Sequence, residues 1–348
     1  MSLFGKNLIC TQDWSFDELM STLNLAVKMK ESRFHPHWKT VLDARTFIML
    51  FYNYSLRTRI SFEAAMLELG GHAQFITPSM MRLKTEAEAG ESIQDAARVM
   101  ARYAAGIGIR IAESAISNYG EGDQLINEYA KWSTVPIINM ANDYYHPCQG
   151  LADILGWSEK FGEHGGLPDF EGLKNKTFLL TWAHGGMART WSSVHESLLL
   201  ASRFGMNIRI ARPDGYDLDP ALYKMVDDNC QKHNTSFVTT NDPAASYDNV
   251  HVVYSRNWMS PNAYRDNKFQ KDTEIQIAMN KKDWITTTEK MARTSNAIFT
   301  HCMPIDRGFE VTDEVANSER SVIYDVAENR LHVQKAILAL TMSQNIFE

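Results

Sequence analysis

Cysteine is scarce in this chain: Cys10, Cys148, Cys230 and Cys302 are the four among 348 residues. Their wide spacing holds no CxxC pair and no zinc pattern. That argues against a disulfide framework or a bound metal, and for reduced thiols in a cytoplasmic protein. Long apolar runs are missing as well. None approaches the roughly 20 residues that a membrane helix needs, and the opening MSLFGKNLICTQDW has no long apolar core ahead of a cleavage site. No membrane partner is expected. No basic tract appears and the formal net charge is −7, which argues against a nucleic-acid partner, whose binding would draw on clustered Lys and Arg. No GxGxxG or Walker sequence follows any strand-like run, so the usual nucleotide signatures are absent.

What is present is the balance of a soluble globular protein, 44% hydrophobic and 22% charged, at a length that favours two domains. Short β-rich apolar runs alternate with longer stretches of helical spacing. The runs are Phe47–Tyr52, Ala73–Ile76, Gly106–Arg110, Val135–Met140, Thr177–Trp182, Asn207–Ala211, Val250–Ser255, Ala297–Cys302 and Ser321–Val326. This alternation predicts an α/β protein with parallel sheets. Nine runs are too many for one small sheet, so two parallel-sheet α/β domains are expected, the second Rossmann-like. Residues 1–150 with 330–348 would form one and 151–329 the other. The stretch Gly162–Asn175 reads as a loop between them. Two bridging helices would join the halves, one after His146 and one after Glu328.

Ligands of open parallel sheets bind beyond the carboxyl ends of the strands, and four polar clusters fall near such exits. Ser55, Leu56, Arg57, Thr58 and Arg59 lie between an apolar run and a helical pattern. Unpaired backbone N–H groups and the helix dipole favour an anion there, and the arginines add bidentate donors. The same residues also fit a plain helix cap with two solvated arginines. His146-Pro147-Cys148-Gln149 offers a donor for a carbonyl oxygen and an acceptor for an amide, or a loop that happens to hold a histidine. His301-Cys302-Met303-Pro304 holds a cysteine that fits a nucleophile or a buried structural residue. Glu328-Asn329-Arg330-Leu331-His332 opens the last helical pattern.

Together these clusters resemble the aspartate/ornithine carbamoyltransferase family: SxRTR, HPxQ, HCxP and ENRxHxQK occur in the family's order and at its separations, across nearly the whole chain. The resemblance implies a first domain for carbamoyl phosphate, a second for the acceptor amine, a homotrimer with sites at subunit boundaries, and no metal or cofactor. It implies that Ser55, Leu56, Arg57, Thr58 and Arg59 hold the phosphate and that Arg110 reaches phosphate and carbonyl oxygen. His146 and Thr58 would bond that oxygen, Gln149 the carbamoyl nitrogen, and Cys302, Met303, Pro304 and Arg330 would line the same end. Cys302 would position rather than attack. Met303-Pro304 is expected to be cis. Ser79–Gly90 matches a mobile loop that reaches a neighbouring subunit, with Arg82 and Lys84 placed to close over substrate.

The acceptor signals diverge. HCxP, ENRxHxQK and RGFEVTDEV resemble the ornithine branch. Ornithine enzymes, however, carry an Asp, a Trp two residues on, and SMG in the acceptor loop. Here the stretch is Arg256-Asn257-Trp258-Met259-Ser260-Pro261. An arginine would repel the acceptor's α-ammonium, at a cost of several kcal/mol by order of magnitude in a dry site. A basic residue followed by x-Trp is similar to the N-acetylornithine and N-succinylornithine carbamoyltransferases, as are Thr181-Trp182 and TQDW. That subgroup has a knotted acceptor domain with a Pro-rich loop after TW. This chain departs from it in Ala183–Arg189, which lacks proline, in Asp306, where the subgroup has Arg, and in Glu310, where acetylornithine enzymes can have Lys. The expected reaction is transfer of a carbamoyl group to the side-chain amine of an ornithine-like acceptor without a free α-ammonium. Arg256 would select it and Trp258 pack against it. Arg256 alternatively pairs outward with Asp248. Plain ornithine as acceptor, and a non-catalytic binding or regulatory protein on the same scaffold, are the competing readings.

Overall fold

The computed structural model describes residues 2–81, 90–162 and 168–346. The chain forms two compact units, Met1–Cys148 with Asn329–Glu348, and Gln149–Glu328.

The first unit runs α1 (Phe16–Glu31), β1 (Thr46–Phe51), α2 (Leu56–Glu68), β2 (His72–Ile76), α3 (Ile93–Tyr103), β3 (Gly106–Arg110), α4 (Glu121–Trp132) and β4 (Ile137–Ala141). Its strands are all parallel in the order β2-β1-β3-β4. The central strand TFIMLF is buried from Phe47 onward, as a parallel strand covered on both faces must be. Gly108 in β3 makes this packing possible. A Cβ there would meet the Phe47 ring at 2.7 Å and Met140 Sδ at 2.8 Å.

The chain passes from the first unit to the second within α5 (Pro147–Phe161). The second unit continues with β5 (Thr177–Trp182), α6 (Ser192–Arg203), β6 (Asn207–Ala211), α7 (Pro220–His233), β7 (Phe237–Thr240) and β8 (Val252–Arg256). There follow a two-stranded antiparallel hairpin of β9 (Tyr264–Arg265) and β10 (Lys268–Phe269), then α8 (Lys271–Met279), α9 (Thr288–Ala292), β11 (Ile298–Thr300) and α10 (Asp313–Ala316). The main sheet is parallel, in the order β11-β8-β5-β6-β7. The chain returns to the first unit within α11 (Ile323–Met342).

Two expectations need correction. Ser321–Val326 is not a strand: Ser321 makes one isolated bridge to Phe299 and the helix begins at Ile323. The run is apolar because Val322, Ile323 and Val326 are buried, a pattern that fits a helical face as well as a strand. The last helix therefore starts before Glu328, and Glu328–His332 fall inside it. The edge strand β7, missing from the expected runs, is four half-exposed or exposed residues, FVTT. Among the described residues no helix is long and apolar enough to cross a membrane.

Candidate active site

In the first unit the sequence clusters collect at the carboxyl ends of β1, β3 and β4. Ser55 caps α2, its Oγ accepting from the Thr58 backbone N–H at 3.4 Å. Arg57 and Arg59 therefore stand in the first turn, at the positive end of the helix dipole, which favours an anion. Thr58 is fully buried, and its hydroxyl oxygen accepts from Ser55 Oγ at 3.1 Å and from Arg330 Nη2 at 3.0 Å. With both acceptances made, the single Thr58 hydroxyl proton is left for an outside acceptor. Arg59 is more exposed. It pairs with Glu63 at 2.9 Å and its guanidinium lies 4.1 Å from the centroid of the Phe75 ring.

Arg110 ends β3 at a register shift, pairing with Ala141 rather than the next residue in step. Such an irregularity re-aims a side chain. His146 is buried at the end of the turn after β4. That turn is built by Asn142, whose Oδ1 accepts from the N–H groups of Tyr144 and Tyr145. A cavity of about 600 Å³ opens at the opposite, amino-terminal end of this sheet, against Arg45, Ala105 and Pro136. It contains none of these side chains.

In the second unit the loops after β5, β8 and β11, neighbours in the sheet, are tied together. Asn257 Nδ2 donates to Ala183 O at 2.8 Å, the Met259 N–H to Arg189 O at 3.0 Å, and the Gly186 N–H to Asp306 Oδ2 at 3.1 Å. Glu310 lies beneath them, fully buried. Its carboxylate accepts the N–H of Asn257 and of Asp306, both at 2.7 Å, and lies 3.1 Å from His301 Nε2 and 3.9 Å from Arg256 Nη1. Burial pushes the Glu310 carboxyl up, but His301, then Arg256 and Arg189, outweigh it and hold the group ionised. His301 Nδ1 accepts the Met303 N–H at 2.8 Å, which leaves its proton on Nε2. Burial, opposed by Glu310, lowers this imidazole to about 4, so it is neutral at pH 7.

Arg256 is buried and faces Glu310 and the Pro304 carbonyl; Asp248 is held instead by Arg293 at 2.7 and 2.9 Å. Trp258 is wholly buried, with its indole N–H on Tyr216 O and its carbonyl accepting the Trp182 indole N–H. It therefore supports the loop from below rather than lining an open surface. Cys302 is buried, with its thiol 3.4 Å from Ser193 Oγ. Met303 adopts a left-handed φ of 57° and the Met303–Pro304 bond is cis. Gln149 is buried and bonded to Asp153. Arg82 and Lys84 lie outside the described residues. Among the described residues no group of three or more His, Cys, Asp or Glu is placed to hold a metal ion. Sequence reasoning passed over Arg189 and Asp153 and noted Glu310 only as a departure. A single charged residue, whether in a polar loop like Arg189 and Glu310 or in a helix like Asp153, carries no mark in the sequence that its side chain is buried.

The carbamoyl-phosphate-binding domain model of the aspartate/ornithine carbamoyltransferases matches residues 6–159, and the Asp/Orn-binding domain model matches residues 184–341. The chain belongs to that family. Among its relatives is the ornithine carbamoyltransferase of Thermococcus kodakarensis, 34% identical over 345 residues, covering 98% of each chain. The N-acetylornithine carbamoyltransferase of Xanthomonas campestris pv. campestris is 33% identical, also over 98% of both chains. A crystal structure of acetylornithine transcarbamylase complexed with acetylcitrulline superposes with a TM-score of 0.87. It is 32% identical, and 97% of this chain and 100% of that one are covered. The family makes this chain a carbamoyltransferase. Relatives of nearly equal similarity carry two acceptor names, so overall likeness does not choose between them.

Proposed function

We propose that this carbamoyltransferase moves the carbamoyl group of carbamoyl phosphate onto the side-chain amine of an ornithine-like acceptor whose α-nitrogen is acylated or absent. The observation that carries this is Arg256, buried at the end of β8 where a free α-ammonium would meet a like charge. Arg189, also buried and acting on the same Glu310 carboxylate, adds a second positive charge. With Glu310 fully buried beneath the loops and Asp306 bound to the Gly186 N–H, it is the Arg256 guanidinium that would face an acceptor's α-substituent, which suits a carboxylate or an uncharged acylamide better than an ammonium. Ornithine itself is the second reading, favoured by Glu310, which offsets part of the Arg256 charge.

In the reaction the uncharged amine attacks the carbonyl carbon, the C–N bond forms, the C–O bond to phosphate breaks, and the amine proton passes to the departing phosphate. Negative charge grows on the carbonyl oxygen and on the phosphate. Thr58, His146 and Arg110 serve the first, with Arg330 holding Thr58. The start of α2 with Ser55, Arg57 and Arg59 serves the second. Fixed donors of this kind supply most of such catalysis, and positioning supplies much of the rest. Gln149 takes the carbamoyl nitrogen, and Cys302, Met303 and Pro304 shape the same end without a covalent step. As a further part of the proposal the enzyme is a cytoplasmic homotrimer, which light scattering on the purified protein would read as three chains.

The test is a carbamoylation assay across ornithine, N-acetylornithine, N-succinylornithine, aspartate and short diamino acids. An acylated acceptor should be used at least about tenfold better than ornithine in kcat/KM, the scale set by one unfavourable charge contact. Arg256→Asp alone would place two carboxylates in one dry site, so it is made together with Glu310→Gln. The double variant should swing preference toward ornithine. Equal use of both acceptors before and after would remove Arg256 as selector.

A further inference from the structure

Gln149 is an early residue of α5 and 1% exposed. Its Nε2 donates to Asp153 Oδ1, one turn on, at 2.9 Å. Asp153 is itself fully buried, and its Oδ2 accepts from Ser197 Oγ of α6 at 2.7 Å. Both Asp153 oxygens accept hydrogen bonds, so it is the amide nitrogen of Gln149 that faces them. The amide oxygen is thereby turned the other way, where it is buried and has no hydrogen-bond partner among the described residues. The close approach of α5 to α6 depends on Gly150. A Cβ there would meet Leu200 Cδ1 at 2.8 Å and Glu196 Cβ at 3.0 Å, so a side chain would push α6, and Ser197 with it, away from Asp153. A buried carbonyl oxygen without a donor is rare in folded proteins and marks a place for one.

We infer that Asp153, backed by Ser197, is a positioning residue that locks the Gln149 amide with its oxygen toward the donor substrate, and so makes the enzyme distinguish carbamoyl phosphate from acyl phosphates of the same size. The inference rests on the proposed use of carbamoyl phosphate. A carbamoyl group brings an N–H that this oxygen can accept. An acetyl group brings a methyl of similar volume and leaves the oxygen unsatisfied. Without Asp153 the amide is free to rotate, presenting its own N–H to the carbamoyl N–H and losing the discrimination. A site built around one hydrogen bond rejects the analogue lacking it far better than a pocket that only measures size.

The experiment compares the KM for carbamoyl phosphate with the inhibition constant of acetyl phosphate as its competitor. The unaltered enzyme should favour carbamoyl phosphate by at least about tenfold. Asp153→Ala should bring that ratio near one while leaving the KM for the acceptor within about twofold, and Ser197→Ala, a milder change, should lower it a few-fold. If Asp153→Ala does not fold, Asp153→Asn and Ser197→Ala carry the test. A merely structural role would raise both constants together and preserve the ratio, which overturns the inference while the functional reading stands. An unaltered enzyme that does not discriminate overturns it too. Absence of any carbamoyl transfer by the unaltered enzyme removes the functional reading and this inference with it.

Discussion

At the scale of single residues the chemistry depends on where protons point. Thr58 Oγ already accepts from Ser55 and Arg330, so its one proton is available to an oxygen that gains charge during reaction. Thr58→Val keeps the shape and removes that donor. The expected result is a fall in kcat of about a hundredfold with little change in the KM for carbamoyl phosphate, the pattern for a bond made in the transition state. A raised KM at unchanged kcat would assign Thr58 to ground-state binding instead. His301 makes a second case. Burial holds its folded-state imidazole at about 4, against an ordinary 6.5. Between those values the unfolded chain binds a proton that the folded one refuses. Its contribution is therefore complete above pH 6.5 and is lost as pH falls toward 4, up to about 3 kcal/mol. In His301→Asn, whose Oδ1 replaces Nδ1 as acceptor for the Met303 N–H, denaturant titrations should show a shallower decline across that window. An unchanged slope would place the acid sensitivity elsewhere.

At the scale of elements, α11 is held to α2 by charge and hydrogen bonds. Lys335 Nζ is fully buried, 2.9 Å from Glu68 Oε2 and 3.3 Å from Arg33 O, while Arg33 Nη2 pairs with the other Glu68 oxygen at 2.6 Å. Breaking such a pair from one side leaves a buried charge uncompensated and costs about 3 kcal/mol. Glu68→Gln should lower stability by about that amount, with Glu68→Gln/Lys335→Met regaining much of it; equal midpoints for Glu68→Gln and parent would show that the clip contributes nothing. The ENRxHxQK sequence thus has two parts, Arg330 on Thr58 and Lys335 on Glu68, and its order alone could not separate them. The strands were legible where parallel burial made them continuous apolar runs, as in β1 and β5. β7 was not, since a short edge strand need not be apolar. Ser321–Val326 misled because a short buried run looks the same in either conformation. The phosphate-side cluster was readable because SxRTR sits at one helix start. Glu310 and Asp153 were not, because the role of Glu310 comes from burial beneath loops distant in sequence and that of Asp153 from the packing of α5 on α6.

At the scale of the whole molecule, the first unit is discontinuous: Met1–Cys148 is joined by Asn329–Glu348. That tail is not an accessory. Val333, Ile337, Leu338 and Met342 are buried, Thr341 O accepts the Gly5 N–H at 2.9 Å, and a Cβ on Gly106 would meet Met342 Sδ at 2.9 Å. Four buried aliphatic side chains represent roughly 6–12 kcal/mol of burial as an upper figure, comparable with the entire stability of an ordinary domain, about 5–15 kcal/mol. A fragment of residues 1–148 lacks this burial and also the Arg330 and Lys335 contacts. It should fail to unfold cooperatively on heating and exchange its strand amides rapidly. The same fragment carrying residues 329–348 through a long flexible linker in place of 149–328 should regain a sharp transition. The second unit is one continuous stretch and should fold as Gln149–Glu328 without such help. A cooperative transition in the 1–148 fragment, at the midpoint of the linked version, would show that the tail is dispensable.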